Sequence, residues 1–140
     1  VSWYYKDKEL TEEDIGSNIG FVYLITNLVS GRKYIGKKLF KFSKRKQIKK
    51  KKKRVLVTSD WNDYYGSSDI LKNDVVELGK ENFKREILHL CSNKTQMSYM
   101  ELKEQIERKA LESDDFYNIW IMVRVRKIKD LLPKTLDKRS

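Results

Sequence analysis

Two tyrosines, Tyr23 and Tyr34, stand in the short runs Phe21-Val22-Tyr23 and Tyr34-Ile35-Gly36, with Ser30-Gly31 between them. A basic segment comes directly after: from Lys37 to Arg54, twelve residues are Lys or Arg. Phenols can donate to a phosphate oxygen or pass a proton. Beside a dense cationic surface they suit a site that handles phosphodiesters. Hydrolysing such a bond requires an activated water, positive charge on the non-bridging oxygens and help for the leaving oxygen.

The composition narrows the chemistry. There is one cysteine, Cys91, and one histidine, His89. They cannot form an internal disulfide or a zinc site of the usual Cys/His type. A metal here is therefore expected to be a hard cation on carboxylates, such as Mg²⁺, with Mn²⁺ as a substitute. The formal charge of +11 over 140 residues predicts polyanion partners. Nucleic acid comes first, because Lys and Arg displace counterions from phosphates; an anionic membrane surface comes second. No apolar run approaches the ~20 residues that span a bilayer, and no signal-peptide pattern opens the sequence. A reducing cytoplasm is the expected compartment.

From Gly20 onward, the run Phe21 to Thr26 is aromatic, aliphatic or β-branched and reads as a strand. Asn27 and Ser30-Gly31 supply turn chemistry, and Arg32 to Leu39 returns as a second strand. Leu39, Phe40 and Phe42 precede the basic block and Val55-Leu56-Val57 come after it, which predicts an extended basic hairpin with its tip near Lys49 to Lys53. Ser68 or Asp69 caps a helix running to Leu78, and Gly79 ends it. Phe83 to Leu90 alternates as a third strand, with Phe83, Arg85, Ile87 and His89 on one side. A second helix is expected over 96–111, and a last strand over 119–125. Thr11 caps a short helical start after the anchors Trp3, Tyr4 and Tyr5. The fold class is α+β: a small central antiparallel sheet flanked by helices, with the basic hairpin added. Residues 1–19 are expected as an N-terminal extension, 20–118 as the domain with its insertion over about 37–60, and 119–140 as a basic C-terminal extension.

This order, with Gly79-Lys80-Glu81-Asn82-Phe83 entering a strand and Tyr117-Asn118 closing the set, resembles the GIY-YIG endonuclease family. Phe21-Val22-Tyr23 stands where that family has Gly-Ile-Tyr, and Tyr34-Ile35-Gly36 matches the second tripeptide. The long basic insert resembles small members encoded by large bacteriophages. The resemblance implies an Mg²⁺-dependent DNA endonuclease, of homing type or directed at host DNA. Tyr23 would handle the proton of the attacking water, and Tyr34 would position the water or bind a phosphate oxygen. A glutamate on the second helix would hold the metal, and Asn118 would orient that glutamate or nearby backbone.

Glu101 is the favoured ligand, since Tyr99 and Met100 would seat it at the core edge; Glu104 and Glu107 are expected to face solvent. The family's arginine has no evident counterpart, and Arg45, Lys38 and Arg54 are the candidates. Lys37, Lys41, Lys44, Lys46, Lys49, Lys50, Lys51, Lys52, Lys53 and Arg54 are expected to contact phosphates of duplex DNA. Such contacts give affinity rather than sequence choice. Each element has a plainer alternative. The tyrosines are then ordinary strand aromatics, the glutamates surface carboxylates and the lysine run a solvated loop. Trp61, Tyr64 and Tyr65 could stack on bases but read more simply as core. The competing functions are a silent nucleic-acid-binding module and an accessory protein for an acidic partner. One site cuts one strand at a time, so a double-strand break would need a dimer or two visits.

Overall fold

In the computed structural model, which describes residues 2–121 apart from the Ile48 side chain, seven strands and three helices alternate along the chain. They are β1 (Trp3–Tyr5), β2 (Lys8–Glu9), α1 (Glu12–Ile15), β3 (Gly20–Asn27), β4 (Lys33–Leu39), β5 (Lys41–Ile48), β6 (Lys51–Thr58), α2 (Asp69–Leu78), β7 (Phe83–Cys91) and α3 (Lys94–Glu107). Five strands form one sheet in the order β2-β1-β7-β3-β4. β1 and β7 run parallel, and the other neighbours run antiparallel. β5 and β6 form a separate two-stranded sheet. The α+β class with an added basic hairpin is thus as expected.

β3 is apolar at nearly every position because both its faces are covered. It lies between β7 and β4 and is buried from Gly20 through Ile25. On one face Phe21, Tyr23 and Ile25 pack with Trp3, Phe40, Tyr65, and Leu71 and Val75 of α2. On the other, Val22 and Leu24 pack with Ile35, Cys91, and Met97 of α3. A strand covered on both sides reads as a continuous hydrophobic run.

Ser68 caps α2 through a bond from Leu71 N, and the chain leaves at Gly79 with φ of 91°. Thr11 and Asp14 close a reciprocal capping box on α1. Helix α3 is shorter at its end than expected; a separate 3-10 turn covers Ala110–Glu112. Residues 119–121 have no regular structure, and the rest of the expected last strand lies outside the described residues, as does the C-terminal tail.

Two sequence expectations change. The N-terminal segment, read as an extension, adds β1 and β2 to the sheet and places Trp3 in the core at 2% exposure. Trp3 donates from Nε1 to the Trp61 carbonyl at 2.8 Å. The second change is in β7. Its register with β3 slips between Val22↔His89 and Tyr23↔Ile87, so Leu88 is an extra residue. A bulge re-aims the side chains beyond it. Leu90 therefore packs toward Phe83 and Ile87, while Leu88 packs with Val22 and Leu24. His89, expected beside Phe83, Arg85 and Ile87, instead meets α3, with Nε2 2.7 Å from Glu104 Oε2.

β4 is an edge strand, and the chain after α3 covers half of that edge. Lys33 N donates to Asp115 O at 2.8 Å, and Tyr117 N donates to Lys33 O at 2.7 Å. Asn118 then imitates a strand. Its Oδ1 accepts from Ile35 N at 3.0 Å and its Nδ2 donates to Ile35 O at 2.9 Å. An unpaired edge would be a template for foreign strands, and a buried amide without a partner is costly.

Tyr23 faces Gly36 across the β3–β4 pair. A Cβ on Gly36 would collide with the Tyr23 hydroxyl and lie 3.1 Å from Tyr34 Cε2. The phenol therefore occupies space that any other residue at position 36 would fill.

Gly36→Ala is expected to lose about 1–3 kcal/mol of stability through overpacking, read as a lowered midpoint in chemical denaturation. Asn118→Ala leaves the Ile35 amide without its partner and is expected to cost about 1–3 kcal/mol. Hydrogen exchange at Ile35 should accelerate in that variant; unchanged exchange would mean the edge is held by other contacts.

Candidate active site

Tyr23 and Tyr34 share a face of the sheet, with ring centroids 6.2 Å apart. Tyr64 stands perpendicular to Tyr23, with ring centroids 6.0 Å apart. Tyr34 shares a 2.8 Å hydrogen bond with Ser67 Oγ. Gly66, with φ of 84°, turns the chain so that Ser67 can reach; a Cβ there would sit 3.1 Å from the Tyr34 ring.

Glu101 comes from α3, on the opposite layer. It meets Tyr34 around the uncovered part of the β4 edge. An open cavity of about 750 Å³ runs there, lined among others by Tyr34, Lys37, Ser67, Ser98, Glu101 and Asn118. Lys37 Nζ donates to Ser98 Oγ at 2.8 Å and lies 3.9 Å from Glu101 Oε1. Asn118 does not reach Glu101 through any hydrogen bond among the described residues; it holds the β4 backbone beneath the cavity.

The electrostatics are governed by burial. Tyr23 is 1% exposed, and burial pushes its phenol well above the ordinary value, with Tyr64, Tyr34 and Glu101 adding to the rise. Burial also raises Tyr34, partly offset by the Ser67 hydrogen bond. The Glu101 carboxyl is raised by burial, and Lys37 draws it back only in part. Burial thus holds Tyr23 as a neutral phenol.

Other expected site residues lie apart. Arg45 stands on β5 directly opposite Arg54 on β6, both exposed on the two-stranded hairpin. Neither lines the cavity. Lys38 is held at 2.6 Å by Asp60 Oδ1, with its Nζ 4.1 Å above the Tyr64 ring. Among the described residues, the cation that does reach the cavity is Lys37, which the sequence assigned to phosphate binding. Lys41, Lys44, Lys46, Lys49, Lys50, Lys51, Lys52, Lys53 and Arg54 all lie exposed on the hairpin. Glu104, expected to face solvent, is instead tied to His89 and to Arg108 Nε at 2.8 Å. Burial alone would raise its carboxyl, but the Arg108 and His89 hydrogen bonds outweigh that and hold it below the usual range. Cys91 is buried, with its thiol pushed up to about 11 by burial, and is a packing residue.

Tyr64, read from the sequence as core or as a base-stacking aromatic, stands against Tyr23. Its place depends on Arg85, a buried guanidinium between Trp3 and Tyr65 at 4.6 and 4.3 Å. Arg85 Nη1 donates to the carbonyls of Asn62 and Tyr64 at 2.8 and 3.0 Å. An Arg in a strand pattern carries no mark of that tie.

Among the described residues no group of three or more His, Cys, Asp or Glu could by itself hold a metal. A single half-buried carboxylate among hydroxyls, open to water, still fits a hard cation that takes its other ligands from water and phosphate. Glu101 meets that description.

The family model described as "Putative endonuclease segE, GIY-YIG domain" matches residues 3–121. The chain is also 32% identical over 100 residues to "Putative endonuclease segE" of Enterobacteria phage T4, covering 71% of this chain and 40% of that protein. The chain thus spans under half the length of this curated relative. No solved structure matches the chain. With the paired phenols, the glutamate-bearing helix and the closing Tyr117-Asn118 all found around one strand edge, the chain belongs to the GIY-YIG endonuclease family.

Proposed function

We propose that this domain hydrolyses phosphodiester bonds of DNA with Mg²⁺, at the uncovered edge of β4. The observation that carries this reading is the meeting of Tyr34, Lys37 and Glu101 on one open cavity, backed by the Tyr23–Tyr64 pair. The relation to a phage protein favours a homing-type or host-DNA-directed role.

Glu101 is the proposed ligand of Mg²⁺, with Mn²⁺ able to replace it. A bound divalent cation would supply charge to the non-bridging oxygens and lower the pKa of a coordinated water. Lys37 then serves as the cation on the phosphate, in place of an arginine. Lys binds phosphate as a point charge rather than a fork. The Tyr34 hydroxyl, set by Ser67, orients a phosphate oxygen or the attacking water. Tyr23 is sealed from solvent, so a proton would reach it through the Tyr34 or Tyr64 hydroxyl. Asn118 keeps the β4 backbone in place.

A second reading has support in the sealing of Tyr23 and in a cavity that no arginine lines among the described residues. It is a nucleic-acid-binding domain that keeps the fold without cutting.

A plasmid-nicking assay with and without Mg²⁺ separates the two. Tyr23→Phe and Glu101→Gln should each lower nicking by about 100-fold or more while leaving DNA binding in place. Lys37→Ala should lower it far more than Arg45→Ala or Lys38→Ala. Wild-type activity in either of the first two variants would remove the assignment, and binding without any nicking would favour the silent module.

The raised phenol of Tyr23 sets a pH signature. The deprotonated form is the base, so at saturating metal the rate should climb with pH through the neutral range. Tyr23→Phe should flatten that climb. At limiting metal, activity should also fall as pH drops through the raised value of Glu101, because protons then compete with the cation.

A further inference from the structure

Charge is segregated in this chain. Residues 41–58, the hairpin β5–β6, hold ten Lys or Arg and no Asp or Glu. Outside the hairpin, 21 Lys or Arg are nearly matched by 20 Asp or Glu. Within the hairpin the charge grows toward the tip. Near the root, Lys41 and Lys44 stand among Phe42, Val55, Leu56 and Val57; Arg45 through Arg54 hold the other eight cations.

The hairpin is built against its own electrostatics. Arg45 stands opposite Arg54, and Lys46 opposite Lys53. Like charges directly across a pair of strands destabilise it. The two-residue turn is Lys49-Lys50, with φ of 49° and 63°. Such a turn favours Asn-Gly, because left-handed backbone strains a residue with a Cβ. Both costs fall on the segment farthest from the body. An extended polyanion beside the strands offsets the repulsion between them.

The shape selects among polyanions. A two-stranded ribbon fits the major groove of B-DNA, about 12 Å wide. Each strand has eight residues, and at about 3.4 Å per residue the ribbon reaches ~27 Å. That is the rise of about eight base pairs at ~3.4 Å each. The root adjoins the cavity: Lys37 lines it and also lines a second cleft of about 350 Å³ with Lys38, Phe42, Ser59, Asp60 and Tyr64. Ser59 ties the hairpin exit to the end of β4, its N donating to Phe40 O at 2.8 Å and its Oγ to Leu39 O at 2.5 Å.

We infer that β5–β6 is a groove-binding ribbon for duplex DNA that extends the footprint to about eight base pairs on one side of the scissile phosphate. The duplex is gripped at two points, the β4-edge cavity and the distal half of the ribbon. The one-sided part of this inference rests on the nuclease reading; the groove-binding part does not.

The test uses the full chain and a variant with Lys51→Gln, Lys52→Gln, Lys53→Gln and Arg54→Gln. These changes relieve cross-strand repulsion, so the fold is kept; thermal melting checks this. Binding is measured without divalent metal, by anisotropy, on a duplex of about 24 base pairs and on a single strand of the same length. Wild type should prefer the duplex at least about 10-fold over the single strand, with a slope of log K against log salt steeper than the variant's by about 3. Equal affinity for the single strand, or the same salt slope in the variant, would overturn the ribbon. With Mg²⁺ added, cuts on an end-labelled duplex should stop about eight base pairs short of one end of the cut strand and approach the other end freely. Cuts that approach both ends alike would overturn the one-sided footprint. A chain that binds as described and cuts nothing would leave the ribbon standing and sink the nuclease reading.

Discussion

The site stands on a close approach between a phenol and a strand. The Tyr23 hydroxyl lies over Gly36, where a methyl group would otherwise sit. Because position 36 has no side chain, a residue from the sheet centre can bring its hydroxyl toward the edge. Tyr34, two residues earlier on the same face of β4, then stands beside it, and Gly66 gives the Tyr34 ring its room. A single added carbon would separate these groups. The glycine in this tripeptide is therefore a spatial requirement of the tyrosine in the other.

The remaining geometry depends on what happens along the β4 edge. Its first half is closed by the chain from Asp115 to Asn118, which supplies backbone and amide partners to Lys33 and Ile35. The uncovered half is where Lys37 and Glu101 meet the cavity. One strand thus serves both as a sealed sheet edge and as the floor of a site. The carboxylate and the phenols come from opposite layers and meet only because the strand between them is outermost. Burial on both sides keeps Tyr23 and Glu101 reluctant to ionise, a state that added positive charge would reverse.

Much of this was readable from the residues. The apolar run of β3 announced a strand, though not that both its faces are covered, and Ser30-Gly31 announced its turn. The basic hairpin was legible from apolar residues flanking a charge block, and α2 from Ser68 and Gly79. Elements whose identity depends on a distant partner were not. β1 has three residues and a parallel neighbour far along the chain. The bulge at Leu88 exists only in the pairing with β3, and it alone turned His89 toward Glu104. The same pairing explains why Glu104 is not a free surface carboxylate. Arg45 was nearest to Tyr34 among the arginines beyond it in the chain, yet its strand carries it onto the hairpin, and Lys37 takes the place at the cavity. Tyr64 was hidden among aromatics that all looked like core, because its position is set by Arg85.

The Trp3–Arg85–Tyr65 stack has a consequence for biosynthesis. Trp3 leaves the ribosome roughly 80 residues before Arg85. Until β7 emerges, β1 has no neighbour, Arg85 cannot hold the Tyr64 carbonyl, and β3 lacks one of its two partners. Glu101 emerges later still. A cavity assembled from such widely spaced parts cannot form on a partly made chain, so translation itself delays the moment at which the domain acquires its site.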